Sequence, residues 1–250
     1  MRDRDPRRTP SRKTVLAALA ATALFGVLAS SRTAVAAPPD PDLLARLAQH
    51  EQDIEATTRH ASYHAEEVIE QLDGDGKVSS TKTTRYRVEA SGTTMHRVVE
   101  TAVEDGKDVT ADAQAEVRKK EAEHASKKHE DQVWPFAPGS QAKYTYDQLP
   151  PDPARPGYVQ IAFTPKSPDS HSFEGKVWVD PANAKIMSAS VRLSKPPMLV
   201  DWVHFTAEFG TTAAGPALSH LTFEGAGGLL FLRKHFRGHV NMSDWRAAAP

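Results

Sequence analysis

The chain has 250 residues, with 31 Lys and Arg against 32 Asp and Glu, a net charge of −1 and no cysteine. Without cysteine there is neither a disulfide framework nor the lipidated cysteine of an anchored lipoprotein, so stability has to come from a core. Residues 1–36 hold seven of the basic and two of the acidic side chains, leaving 24 against 30 in the rest, and a charge near −6 argues against nucleic acid as a partner.

At the start of the chain, Arg2, Arg4, Arg7, Arg8, Arg12 and Lys13 precede an apolar run over 15–29, and Ala34-Val35-Ala36 supplies small residues for cleavage. That order is the pattern of a secretory signal peptide. The run includes Thr22 and Gly26 and is shorter than the roughly 20 residues that cross a bilayer. The sequence therefore predicts a leader over 1–36 and a periplasmic or secreted product, soluble and monomeric, with no stable transmembrane anchor after processing. A single domain over 37–246 and a tail over 247–250 complete the division.

Asp40-Pro41-Asp42 reads as a helix start, because Asp40 can cap free N–H groups and Pro41 occupies the first turn, where its missing donor costs nothing. Leu43, Leu44, Leu47 and Ile54 recur at helical spacing, which predicts a helix over 42–58. From His60 the period changes to two. Strands are predicted over 61–72 and 78–90, separated by Asp73-Gly74-Asp75-Gly76-Lys77 as a hairpin turn. That run is not a calcium loop: with Gly76 at the sixth position, the first ligand would be Gln71 and the twelfth Lys82. A third strand over 93–104 ends at Asp105-Gly106-Lys107. A charged helical excursion over 110–131 follows, its apolar stripe so thin that it belongs on the rim. Further strands are predicted over 141–148, 157–165, 172–180, 185–194, 198–209, 217–224 and 229–242, with Gly225-Ala226-Gly227-Gly228 as a turn. The short connections make all about ten strands antiparallel.

Alternation marks the dry face of each strand. It carries Tyr86 and Val88; Val159, Ile161 and Phe163; Phe173, Val177 and Val179; Met187, Ala189, Val191 and Leu193; Leu199, Val203, Phe205, Ala207 and Phe209; and Leu221 with Phe223. An antiparallel sheet of this width twists and curls, and its concave apolar face has to be covered. With one apolar helix available, either the sheet closes tightly or an apolar cavity remains, and a ligand in it would be lined by Tyr86, Val88, Ile161, Phe163, Val177, Val191, Leu193, Val203, Phe205 and Phe223.

Residues 173–193, FEGKVWVDPANAKIMSASVRL, resemble the strand-turn-strand passage of the periplasmic lipoprotein carrier (LolA/LolB-like) superfamily. The order of elements is similar too, from an exported helix and long strands split by Asp-Gly-Lys turns to a final strand ending Asp244-Trp245-Arg246. The likeness covers most of 40–246. It implies an α+β fold, an incomplete, half-open barrel of antiparallel strands wrapped around the N-terminal helix, with the charged helix inserted after the third strand. It also implies an outer-membrane lipoprotein-sorting type of protein that carries acyl chains, although no family motif maps onto a chemical role here.

Catalytic chemistry is not expected. There is no GxSxG elbow or HExxH. On a strand, the spacing of His60 with His64, or of His235 with His239, separates the rings by about 13 Å, too far for one ion unless a helix or a third strand intervenes. Glu66 and Glu67 fall on opposite faces. No cofactor or metal is predicted. Two readings stay open: a carrier that shelters an apolar ligand or lipid acyl chain, and an envelope interaction protein with a self-filled core that engages another envelope protein through exposed Trp178 and Trp202.

Overall fold

A computed structural model of the chain describes residues 37–91, 94–126, 134–229 and 232–247. The leader predicted over 1–36, the predicted helical residues beyond Ser126 and the last three residues of the tail lie outside them. Helix α1 (Pro41–His60) starts as its sequence dictates: Asp40 accepts a hydrogen bond from the Asp42 N–H at 2.9 Å, and Pro41 sits in the first turn. The remaining elements are β1 (Ala61–Leu72), β2 (Val78–Ser91), β3 (Thr94–Glu104), β4 (Lys107–Asp108), α2 (Thr110–Ser126), β5 (Tyr144–Gln148), β6 (Val159–Pro165), β7 (Phe173–Asp180), β8 (Lys185–Leu193), β9 (Val200–Thr212), β10 (Gly215–Leu229) and β11 (Leu232–Ala247).

All eleven strands form one antiparallel sheet in the order β4-β3-β2-β1-β11-β10-β9-β8-β7-β6-β5. Two meanders meet where the first strand pairs with the last, with Ala65 opposite Met242 and Ile69 opposite Gly238. The edges β4 and β5 do not pair, so the sheet is open.

Turn chemistry sets the registers. In the β1–β2 turn, the Asp73 carboxylate accepts hydrogen bonds from the Asp75 and Lys77 N–H groups, each at 2.9 Å. The β3–β4 turn places Asp105 and Gly106 at φ +50° and +80°, the left-handed pair that a two-residue hairpin needs. In the β7–β8 turn, Asp180 accepts from the Ala182 N–H and from the Asn183 side-chain amide, which holds its carboxyl below the usual range. Arg46 of α1 donates to the Pro181 and Ala182 carbonyls of this turn. The ribbon at 173–193 is thus a docking edge for the helix.

The structure corrects three readings. Gly225-Ala226-Gly227-Gly228 is not a turn but the end of β10, paired with both β9 and β11. Leu199 is not on the dry face of a strand: it lies in the turn before β9 and is half-exposed, because Pro196 and Pro197 delay the strand to Val200. Trp178 is not exposed: Arg155 and Lys176 stack on its ring at 4.6 and 4.9 Å, and its Nε1 is buried. Arg155 also donates to Ser188 Oγ at 2.6 Å, which buries a serine the alternation leaves in water.

Helix α2 packs beside β3, with Ala113 buried against Val99 and Ala102. Its polar side chains complete the strand edge: Gln114 accepts from the Val99 N–H at 2.7 Å, Glu121 from the Arg97 N–H at 2.9 Å, and Thr110 from the Ala102 N–H at 2.9 Å. These groups pair edge N–H groups that would otherwise invite another strand.

Candidate functional site

On the face that meets α1, cross-strand neighbours form rows. One row runs Ile161, Val177, Ala189, Ala207, Leu221 and Val240, each in register with the next. It belongs to the core under α1, where Leu47 is fully buried together with Phe136 and Phe163. Ile161 is 0% exposed and Val177 2%. Five of its six residues are buried, and Leu221 is half-buried.

The adjacent row runs Phe163, Gly175, Val191, Phe205, Phe223 and Gly238. Phe163 is buried at one end, whereas Val191, Phe205 and Phe223 are only half-buried. The glycines explain how aromatic rings lie down here. A Cβ at Gly238 would meet the Phe223 ring at 2.5 Å, and one at Gly225 would meet the Phe236 ring at 2.7 Å. Each phenylalanine covers a bare stretch of neighbouring backbone. The aromatic chain continues through Phe173, edge-on to Phe205 at 6.3 Å, to Trp134, stacked on Phe173 at 5.6 Å and 47% exposed.

The ten predicted lining residues therefore divide. Ile161, Phe163 and Val177 are sealed in the first core, against which Val191, Leu193 and Phe205 are half-buried. Tyr86 and Val88 lie in a second core with Tyr63 and Trp245, whose rings stack at 4.1 Å, and Phe223 packs on that core. Val203 is buried opposite Gly225. Burial, the larger effect, pushes the Tyr86 hydroxyl up to about 12, although Arg97 sits over its ring.

Sequence reasoning missed the segment that closes the site. Trp134-Pro135-Phe136 reads as punctuation, but it forms a strap over α1 and the sheet. Gln141 donates to the Leu44 and Phe136 carbonyls at 2.8 and 3.0 Å, and the Tyr146 hydroxyl donates to the Pro135 carbonyl. Beneath the strap lies Glu51, whose Oε2 is buried without a hydrogen-bond partner among the described residues. Burial, then repulsion from Glu55, raises this carboxyl to about 8, opposed by a hydrogen bond from the Phe136 backbone. Next to it, burial lowers the His50 imidazole. Nothing in the helical periodicity marks a carboxylate for burial.

The opposite face of the sheet is polar. A shallow cavity of about 460 Å³ there is lined by His204, His220, His239, Glu224, Arg237 and Asn241, among others. Asn241 meets His220 Nδ1 at 2.6 Å, and Arg237 pairs with Glu70 at 2.5 Å. Among the described residues, no three His, Asp or Glu side chains converge as a metal site. Likewise, none of the described helices is long and apolar enough to cross a membrane.

No protein-family model matches the chain, and no curated protein matches it in sequence. Among solved structures it is distantly similar to a DUF1329 family protein from Desulfovibrio piger, at 10% identity and a TM-score of 0.42 over 84% of this chain and 94% of that one. It is similar to a LolA superfamily protein from Nitrosomonas europaea at 12% identity and a TM-score of 0.32, over 80% and 94%. A chain of the Pseudomonas aeruginosa MucA/MucB complex is similar at 13% identity and a TM-score of 0.23, over 84% and 99%.

Proposed function

We propose that the chain is an exported, non-catalytic binding protein that shelters an apolar ligand, a lipid acyl chain above all, on the open row of its sheet. The reading includes a leader cleaved near residue 36 and a domain over 37–246 working in the cell envelope. One observation carries it: beside the row that is buried except at Leu221, the next row presents Val191, Phe205 and Phe223 half-buried and in register, with Leu193 nearby. An extended hydrocarbon laid along such a row is removed from water at about 25 cal/mol per Å² without displacing the core. No metal or cofactor is needed for this task.

A second reading has support from the same face. Ile161, Phe163 and Val177 are so fully buried that a self-filled core serving a protein partner fits them equally well. Phe205→Asp separates the two. If the open row is wettable, the carboxylate reaches water, thermal unfolding stays cooperative, and affinity for a fluorescent fatty acid falls. If the row is closed core, the unpaired buried charge costs several kcal/mol and the variant fails to fold. A parent chain that never binds the probe, together with a variant that does not fold, would overturn the carrier reading.

A further inference from the structure

The β8–β9 turn lies at one end of the strands that carry the open row, beyond Leu193 and close to the end of β10. Met198 and Leu199, in this turn, are 90% and 52% exposed, the most exposed of the large described hydrophobic residues. The turn is built rather than loose. Pro196 and Pro197 stiffen it, the Val200 N–H donates to the Pro197 carbonyl at 3.1 Å, and Leu199 holds φ +74°, a conformation that β-carbon-bearing residues rarely adopt. The Gly228 N–H fixes the Leu199 carbonyl at 2.8 Å. A Cβ on Gly227 would stand 2.4 Å from that same oxygen, so β10 is bare where the turn rests on it. Core packing gives no reason to hold two large apolar side chains in water in this way.

The surrounding charge narrows what they meet. Lys195 opens the turn, and Lys234, paired with Gly227, is exposed beside His235. Acidic side chains are present at this end too: Asp169, in the loop that Ser194 bonds through the Asp169 carbonyl at 3.0 Å, and Asp201, the first acidic residue of β9, are near the turn, whereas Asp73, Asp75 and Asp105 belong to turns farther across the sheet. Trp202 is exposed on the polar face, its ring 5.3 Å from that of His204. Apolar residues at a tip, cations around them and an indole one step back are what a bilayer interface selects.

We propose that the β8–β9 turn docks on a bilayer surface carrying anionic lipid: Met198 and Leu199 enter the boundary between headgroups and acyl chains, and Lys195 and Lys234 meet the headgroup charge. The inference rests on the carrier reading in one respect, that an acyl chain leaving the bilayer at this turn meets Leu193 and Val203 at the mouth of the open row.

Because the chain has no cysteine, Met198→Cys accepts a single nitrobenzoxadiazole label. Ala213→Cys, in the β9–β10 turn at the other end of the sheet, serves as the control. With vesicles containing phosphatidylglycerol, the label at 198 brightens severalfold and shifts to the blue, while the label at 213 does not change. Adding Leu199→Asp abolishes the response, and Lys195→Glu with Lys234→Glu removes the preference over phosphatidylcholine vesicles. A label at 198 that ignores both vesicles, or responds no more than the one at 213, overturns the proposal, as does shielding of position 198 by a second copy of the chain or a protein partner alone. Fatty-acid binding is measured on the same labelled chain without vesicles. Failure there with docking intact sinks only the carrier reading, and the converse result sinks only the docking.

Discussion

Glu51 shows how a single buried group sets a pH window. Its folded value of about 8 lies above the ordinary 4.5. Below about 4.5 the carboxyl is protonated in both states and costs nothing. As pH rises, the unfolded chain ionises first, and the penalty grows until it is complete above about 8. Each unit of displacement is about 1.4 kcal/mol, so the penalty is on the order of a few kcal/mol. Glu51→Gln should therefore raise the unfolding temperature at pH 9 and leave it nearly unchanged at pH 4, and an equal shift at both would show that the carboxyl is not buried as described. Gly238 is the other residue whose size decides an outcome. Gly238→Ala would place a Cβ 2.4 Å from the Val68 carbonyl and against the Phe223 ring, costing about 1–3 kcal/mol as overpacking does. Urea unfolding reads that loss, and neutrality would mean that the ring does not lie over the glycine.

At the scale of elements, α2 is an edge cover rather than a core helix. Its contact with the sheet is a small apolar patch, Ala113 buried with Val117 packed beside it, and a set of side-chain acceptors aimed at β3 N–H groups. Replacing Thr110–Ser126 by a Gly/Ser linker of equal length should leave cooperative unfolding intact while exposing the β3 edge to self-association. Light scattering beside circular dichroism checks both, and loss of the cooperative transition would make the helix part of the core. Element types were legible because they follow from local chemistry: the Asp40-Pro41 cap, the Asp-Gly turns and the alternation through Val203, Phe205 and Ala207 act within a few residues. The end of β10 was not legible, because a Gly-Ala-Gly-Gly run reads as a turn unless the rings of Phe223 and Phe236 are known to lie on glycines two strands' pairing brings together. The strap was missed for the same reason. Its hold on α1 depends on Gln141 reaching Leu44, 97 positions away in the chain.

Across the whole molecule, one arrangement links fold to function. The chain's first and last strands pair in the middle of the sheet, α1 lies over one part of the apolar face, and the strap with Trp134 and Phe136 seals a second. What they leave is the half-buried row through Val191, Phe205 and Phe223. The sequence could list the residues of the dry face, but not divide them, because alternation reports which side a residue faces and says nothing of what covers it. Ile161 and Phe205 look alike in sequence, yet the first is fully buried and the second only half-buried. Organic extracts of the folded chain, analysed by mass spectrometry, test the central claim most directly. The account predicts an acyl-bearing compound in the parent that is depleted from an equally purified Phe205→Asp variant. A parent extract holding no more apolar compound than that of the variant would contradict it.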